Sequence, residues 1–284
     1  AAENAEAAGT SVEGQGMLSP SSSSEGSESV FNGSGAGTSS EPVTDEKLET
    51  ILKQVQSQLP AENGTWAVFI SDLVNGTEGS LNDQKMQAAS LIKLYIMGAV
   101  YENYDQITGQ YGRDSVDSNL YSMITVSDND AANTLTTYLG GGDSAAGMQA
   151  VNSFCQTHGY DQTHMGRMLL ASNENDDNYT SVGDCGHLLQ EIYKQDTSGY
   201  THATDMFNLL KAQERRNKIP ANLPEGVSVA NKTGELDNVE NDAGIIYDSK
   251  NDVVIVFMSQ NLSSAGSAQN TIATLSRTIY DYYN

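Results

Sequence analysis

Apolar and polar positions divide the chain into segments with different periods. Leu48, Ile51, Leu52, Val55 and Leu59 recur at helical spacing, behind an N-cap expected at Thr44 with Asp45 and Glu46 in the first turn. Thr65 to Leu73 alternates, as a strand with one buried face does, and Asn75-Gly76 marks a hairpin turn into a second short strand. Residues 90–103 are apolar on all sides, the pattern of a buried helix. Further helices are expected at about 117–124, 128–138, 144–158, 181–194 and 201–212, with Gly140-Gly141-Gly142 separating two of them. The pattern then turns to β-rich runs at Val227–Lys232, Ala243–Tyr247 and Val253–Ser259, followed by a final helix over Gln269–Tyr283.

This order predicts an α+β fold. An antiparallel sheet of about five strands is flanked by helices, and the helical block between its two parts forms a second, all-helical lobe. A cleft between the two is the expected place for a site.

Composition changes the picture at one end only. Hydrophobic residues make up 38% of the 284, and the deficit is concentrated before Thr44. Residues 1–43 read as a Ser/Gly/Glu-rich disordered linker, and 44–284 as one domain with ample length for a core. The chain opens Ala-Ala-Glu-Asn, without the basic and apolar regions of a signal peptide. The leader is read as the tether that follows a removed signal or a lipid-anchored residue. The expectation is therefore a secreted or cell-surface protein, with a membrane tether through the linker. No apolar run reaches the roughly 18 residues of a membrane helix. The net charge of −23 excludes nucleic acid as a partner and keeps the chain soluble.

Cys155 and Cys185 fit no metal or redox spacing, so a disulfide and two buried thiols remain alternatives. His158, His164, His187 and His202 are scattered, and no metal site is expected.

Three short strings carry chemistry. Ser90-Leu91-Ile92-Lys93 opens the apolar helix and puts a lysine one turn above a serine hydroxyl. Burial there lowers the lysine pKa, and a neutral amine can take a serine proton. Ser127-Asp128-Asn129 opens another helix and, alone, reads as a capping segment with Ser127 or Asp128 as the cap. Lys232-Thr233-Gly234 continues a β-run; a lysine and a hydroxyl beside a cleft can hold a carboxylate, and Gly234 lets a substrate backbone approach.

Together, and in this order, the three strings resemble those of class A β-lactamases and penicillin-binding proteins. The match continues through Ala88-Ala89-Ser90, Val126-Ser127-Asp128-Asn129-Asp130-Ala131-Ala132-Asn133 and Asn241-Asp242-Ala243-Gly244-Ile245-Ile246. Residues 44–284 are thus similar to class A β-lactamase-like serine hydrolases.

The resemblance implies acyl transfer without metal or cofactor. Ser90 is acylated, Lys93 helps activate it, and Ser127 shuttles the proton. Asn129 bonds the substrate amide and the lysine, and Lys232 and Thr233 bind a substrate carboxylate. The N–H groups of Ser90 and Glu235 form an oxyanion hole. The partner implied is a small-molecule β-lactam or a D-Ala-D-Ala peptide, and the protein is expected to be monomeric.

The chain departs from the family in three places. Class A enzymes carry a deacylating glutamate on a loop that here runs Gly166 to Thr180; Arg167 matches the loop's arginine, but Leu169 stands near the glutamate position. Glu174 is the nearest carboxylate and the remaining candidate base. The interval from Ser90 to Ser127 is short, which implies a more open cleft. Glu235 stands where a small residue is usual and is expected to put negative charge beside the oxyanion hole. Slow deacylation follows, with a D-Ala-D-Ala peptidase or a non-hydrolysing penicillin sensor as the alternatives.

Overall fold

The computed structural model describes residues 45–284, so the linker expected over 1–43 lies outside the described residues. Helix α1 (Glu46–Gln58) buries Leu48, Ile51 and Val55. Its cap is Asp45 rather than Thr44: the Asp45 carboxylate accepts the Leu48 N–H at 2.7 Å. Strands β1 (Thr65–Asp72) and β2 (Thr77–Leu81) form the expected hairpin. Its turn is tied by Asp72, whose Oδ1 accepts the Val74 and Asn75 N–H groups at 3.0 Å each. β1 does not alternate between core and solvent. Trp66 to Asp72 are all buried, because helices cover both faces of the sheet.

A two-residue strand, β3 (Met86–Gln87), leads into a 3-10 turn, Ala89–Leu91, and then α2 (Ile92–Glu102). Every residue from Ile92 to Tyr101 is buried, as the unbroken apolar pattern requires. α3 (Tyr104–Tyr111) was not legible in the pattern, because it buries only Tyr104 and Ile107. Gly112, at φ +88°, separates it from α4 (Arg113–Thr125). α5 (Asn129–Leu139) and α6 (Ser144–Thr157) follow, then the short strands β4 (His164–Met165) and β5 (Asn178–Thr180), and α7 (Val182–Tyr193) and α8 (Ala203–Lys211). The chain closes with β6 (Ser228–Leu236), β7 (Val239–Tyr247), β8 (Val253–Gln260) and α9 (Ala265–Tyr283). Among the described residues no helix is long and apolar enough to cross a membrane.

The sheet is five-stranded and antiparallel throughout, in the order β2-β1-β8-β7-β6. Period-two alternation sorts its side chains into two cores. Ala67, Phe69, Val254, Val256 and Met258 pack against α2, α7 and the helical lobe. Trp66, Val68, Ile70, Val253, Ile255 and Phe257 pack against α1 and α9. The predicted fold class and the second helical lobe are both present.

A second sheet, β3-β5-β4, was not foreseen; two- and three-residue strands leave no period to read. It joins the segment before Ser90 to both ends of the loop at 166–177. Asn178 binds that junction, its carbonyl accepting the Ala88 N–H at 2.9 Å and its Oδ1 accepting those of Gly166 and Arg167 at 3.0 and 3.1 Å.

From the other side, Asn241 of β7 holds the same segment. Its fully buried amide donates to the carbonyls of Gln87 and Ala88 at 3.0 and 3.1 Å and accepts the Ser259 N–H at 3.1 Å. Asn241→Ala strands these groups without partners and should lower the unfolding free energy by about 2–4 kcal/mol. Urea denaturation measures it; a change within about 0.5 kcal/mol would show that Asn241 does not hold the turn.

Candidate active site

Ser90 sits in the 3-10 turn between β3 and α2, half-buried on the wall of a cleft. Ala89 before it is held at φ +47°, a left-handed conformation that costs a non-glycine residue about 1–2 kcal/mol. The turn is pressed against β6. A Cβ at Gly234 would lie 2.9 Å from the Ala88 carbonyl oxygen and 3.1 Å from the Ser90 nitrogen. Gly234 therefore admits the protein's own turn, where a substrate backbone was expected.

Lys93, one turn on, is wholly buried. Its Nζ donates to the Ser127 carbonyl at 2.6 Å, to Ser127 Oγ at 3.0 Å and to Asn129 Oδ1 at 2.8 Å. Ser127 is presented by the break between α4 and α5, at φ +60°, and Asp128 caps α5 by accepting the Ala131 N–H at 2.7 Å. Lys232 arrives from β6, also wholly buried, and donates to the same Ser127 Oγ at 3.0 Å and to the Thr233 carbonyl at 2.7 Å.

Two lysines thus share one hydroxyl in a water-poor site. Burial pushes Lys93 down to about 7; the Arg215 guanidinium adds to this, and Asp128 opposes it. Burial, followed by the positive charges of Lys93, Arg215 and Lys218, holds Lys232 far below an ordinary lysine against the pull of Asp242. A neutral Lys93 can donate to the Ser127 carbonyl and Asn129 while turning its lone pair to the Ser127 hydroxyl. That makes a proton relay available between a base and a second hydroxyl.

The segment after α8 locks these parts together. Buried Gln213 donates from Nε2 to the carbonyls of Ile124 at 3.0 Å and Asn231 at 3.1 Å, tying the end of α4 to β6. Arg215 donates to the carbonyl of Val126, the residue before Ser127, at 3.3 Å. Lys218, fully buried, meets Glu240 at 2.8 Å and Glu235 at 3.0 Å. Asp242 accepts from Asn231 and from the Ile219 N–H at 2.9 Å each; burial still raises its pKa to about 6, against the lowering effect of Lys218. None of Gln213, Arg215 and Lys218 was singled out from sequence. The available signal was four of the chain's 14 basic residues within 211–218 of an acidic chain.

The charge expected at Glu235 is not free. Its carboxylate is paired with Lys218 and, at 3.6 Å, with Arg215. Burial favours protonation, but Lys218, Arg215 and Lys232 outweigh it and keep the acid strong.

The loop at 166–177 forms the opposite wall. Arg167 closes it by donating to Asp177 at 2.7 Å and to the Ala171 carbonyl at 3.0 Å. Asn133 of α5 clamps Leu169 through both backbone groups, at 2.9 and 3.0 Å. Ser90, Asn129, Leu169, Leu170 and Glu235 line a common cavity of about 200 Å³. Glu174 does not reach it: the residue is exposed, with its N–H on Ser172 Oγ at 3.2 Å, and the loop's closure presents leucine instead. A larger hollow of about 460 Å³ beside Tyr101, Tyr104 and His202 contains none of the motif residues. Cys155 and Cys185 are free and buried, which settles that alternative for two thiols. Among the described residues no cluster of three or more His, Cys, Asp or Glu is placed to hold a metal.

Fold and motifs together define a serine hydrolase of amide bonds. The chain belongs to the beta-lactamase enzyme family, whose model matches residues 47–114 and 110–283. Among solved structures it is similar to PBP-A, at 22% identity over 85% of this chain and 98% of that one, with a TM-score of 0.73. The beta-lactamase of Sphaerobacter thermophilus DSM 20745 matches at 22% identity over 81% and 95%, with a TM-score of 0.68. An ancestral class A beta-lactamase matches at 20% over 81% and 99%, with a TM-score of 0.70. At such identities the likeness is one of fold. No curated protein matches the chain.

Burial of Lys93 has a stability signature. Below pH 7 the lysine is charged in both the folded and unfolded protein, and the folded state bears the full desolvation penalty. Between about 7 and the ordinary lysine range of about 10.4 the unfolded chain holds the extra proton, so stability rises with pH until the penalty is gone. The unfolding free energy of Lys93→Met relative to the parent should therefore be most favourable below pH 7 and decline above it. Denaturation at pH 6 and pH 9 measures this; an equal difference at both would contradict the depressed pKa.

Proposed function

We propose that Ser90 is acylated by β-lactams or related amides and that the acyl group is released slowly. The observation that carries this is the Lys93–Ser127–Lys232 cluster, which Lys93 carries one helical turn from Ser90, together with a cavity that Ser90 and Asn129 line and whose loop wall is leucine rather than carboxylate.

The Ser90 hydroxyl oxygen bonds to the amide carbonyl carbon while neutral Lys93 takes its proton. The Ser90 and Glu235 N–H groups receive the oxyanion. The C–N bond then breaks, and Ser127 delivers the proton to the departing nitrogen, drawing its own replacement from Lys93. In a β-lactam that nitrogen stays attached through the opened ring, so the product is an ester on Ser90 with nothing lost. Hydrolysing the ester requires an activated water. Leu169 and Leu170 supply no base where the cavity meets the loop, and Glu174 lies outside it. General-base assistance is worth roughly 10²–10⁴ in rate, which sets the scale of the slowing. A leucine-to-glutamate variant of PBP-A, 23% identical to this chain, is described as an acyl-enzyme complex with penicillin G, which supports a penicillin as the probe. An extracytoplasmic setting, tethered through the residues before Thr44, goes with this reading.

Intact-mass measurement after mixing with a penicillin provides the test. One adduct should form, be absent in Ser90→Ala, and persist long after acylation is complete. Leu169→Glu should shorten its lifetime by about tenfold or more. An adduct that turns over within seconds contradicts slow release, and no adduct at Ser90 contradicts the reading as a whole.

A further inference from the structure

The third motif ends in an arrangement that bears on substrate choice. This inference rests on the acyl-enzyme reading above. Lys232 is turned inward, toward Ser127 and its own strand, and is fully buried. Arg167 lines the cavity but is already closed on Asp177; of the two cations paired with Glu235, Arg215 is half-exposed and can meet an anion, whereas Lys218 is fully buried. Both are taken by one side chain. Glu235 gives Oε1 to Lys218 at 3.0 Å and Oε2 to Arg215 at 3.6 Å, and the same residue lines the cavity with Ser90. About a third of its side chain remains exposed, so it can swing away without disturbing the sheet.

A ligand carboxylate and Glu235 therefore compete for Arg215, the exposed one of the two partners. Lys218 does not depend on Glu235 for compensation: Glu240 holds it at 2.8 Å, and Glu240 is itself fixed by Gln269 at 2.9 Å. Arg215 is half-exposed and keeps its bond to the Val126 carbonyl. What Glu235 adds is occupancy of the anion position.

We propose that Glu235 is a built-in competitor for the substrate carboxylate, which makes it a specificity-determining residue. An anionic acyl donor must displace it from Arg215, whereas a donor with a neutral group facing Arg215 binds without that step. The site thereby selects amides that are uncharged at this position.

The test compares benzylpenicillin with its methyl ester, following the second-order rate of Ser90 acylation by intact mass. In the parent protein the acid should react no faster than the ester. In Glu235→Gln, and independently in Glu235→Ala, the acid-to-ester ratio should rise about threefold, the scale of one partly screened ion pair, and the rise should shrink with added salt. Adding Arg215→Gln should abolish much of the gain. A merely structural Glu235 would slow both compounds alike; an unchanged or reduced ratio, with acylation still observed, overturns the proposal alone. If neither compound acylates Ser90 in any of these proteins, the acyl-enzyme reading fails and this inference falls with it.

Discussion

The structure is organised around a pair of buried lysines that meet at one hydroxyl. Lys93 and Lys232 come from a helix and a strand about 140 positions apart, and each lies 3.0 Å from Ser127 Oγ. Two ammonium groups that close, out of water, repel each other and lose their hydration. The site is therefore costly to fold, and what makes it useful is the same effect: it favours a neutral amine beside a serine near physiological pH. Much of the surrounding architecture holds this unfavourable cluster together. Gln213 ties α4 to β6, Asn241 fixes the turn before Ser90, and Asn133 and Asn178 anchor the loop that closes the cavity.

The acids around the cluster keep its charge within bounds. Glu240 and Asp242 are buried on β7, next to Lys218 and Asn231, and Glu235 of β6 is the more exposed acid. Removing one partner of such a network leaves an uncompensated buried charge, which costs more than the pair gains. The acids thus allow positive residues to be assembled without water. The one carboxylate that faces the cavity, Glu235, also decides what else can bind there.

Much of this was legible in the sequence, for identifiable reasons. The helices of the second lobe and the strands of the large sheet bury enough apolar residues at regular spacing to be read directly. The three motifs were readable only in conjunction: each alone is a common cap or strand-end pattern, and it is their order and their contexts, two helix starts and a strand, that set them apart. The sequence could not show that Gly234 packs on the turn bearing Ser90, since that contact joins segments far apart in the chain. Nor could it show the pairing of Glu235 with Lys218 and Arg215, where a charge was read as free because its partners precede the strand. Glu174 was the nearest acid in the sequence but not in space: closure of the loop by Arg167 and Asn133 leaves it outside and turns Leu169 inward.

Burial, aided by the Arg215 charge, thus converts Lys93 into a base that works near neutrality. The pH dependence of the second-order rate of Ser90 acylation, followed from pH 5 to 10 with a neutral acyl donor, tests it most directly. The rate should rise with pH, bend near pH 7 and stay level above it, as Lys93 loses its proton. A rate independent of pH across that interval, or one that climbs only toward the ordinary lysine range of about 10, would contradict it.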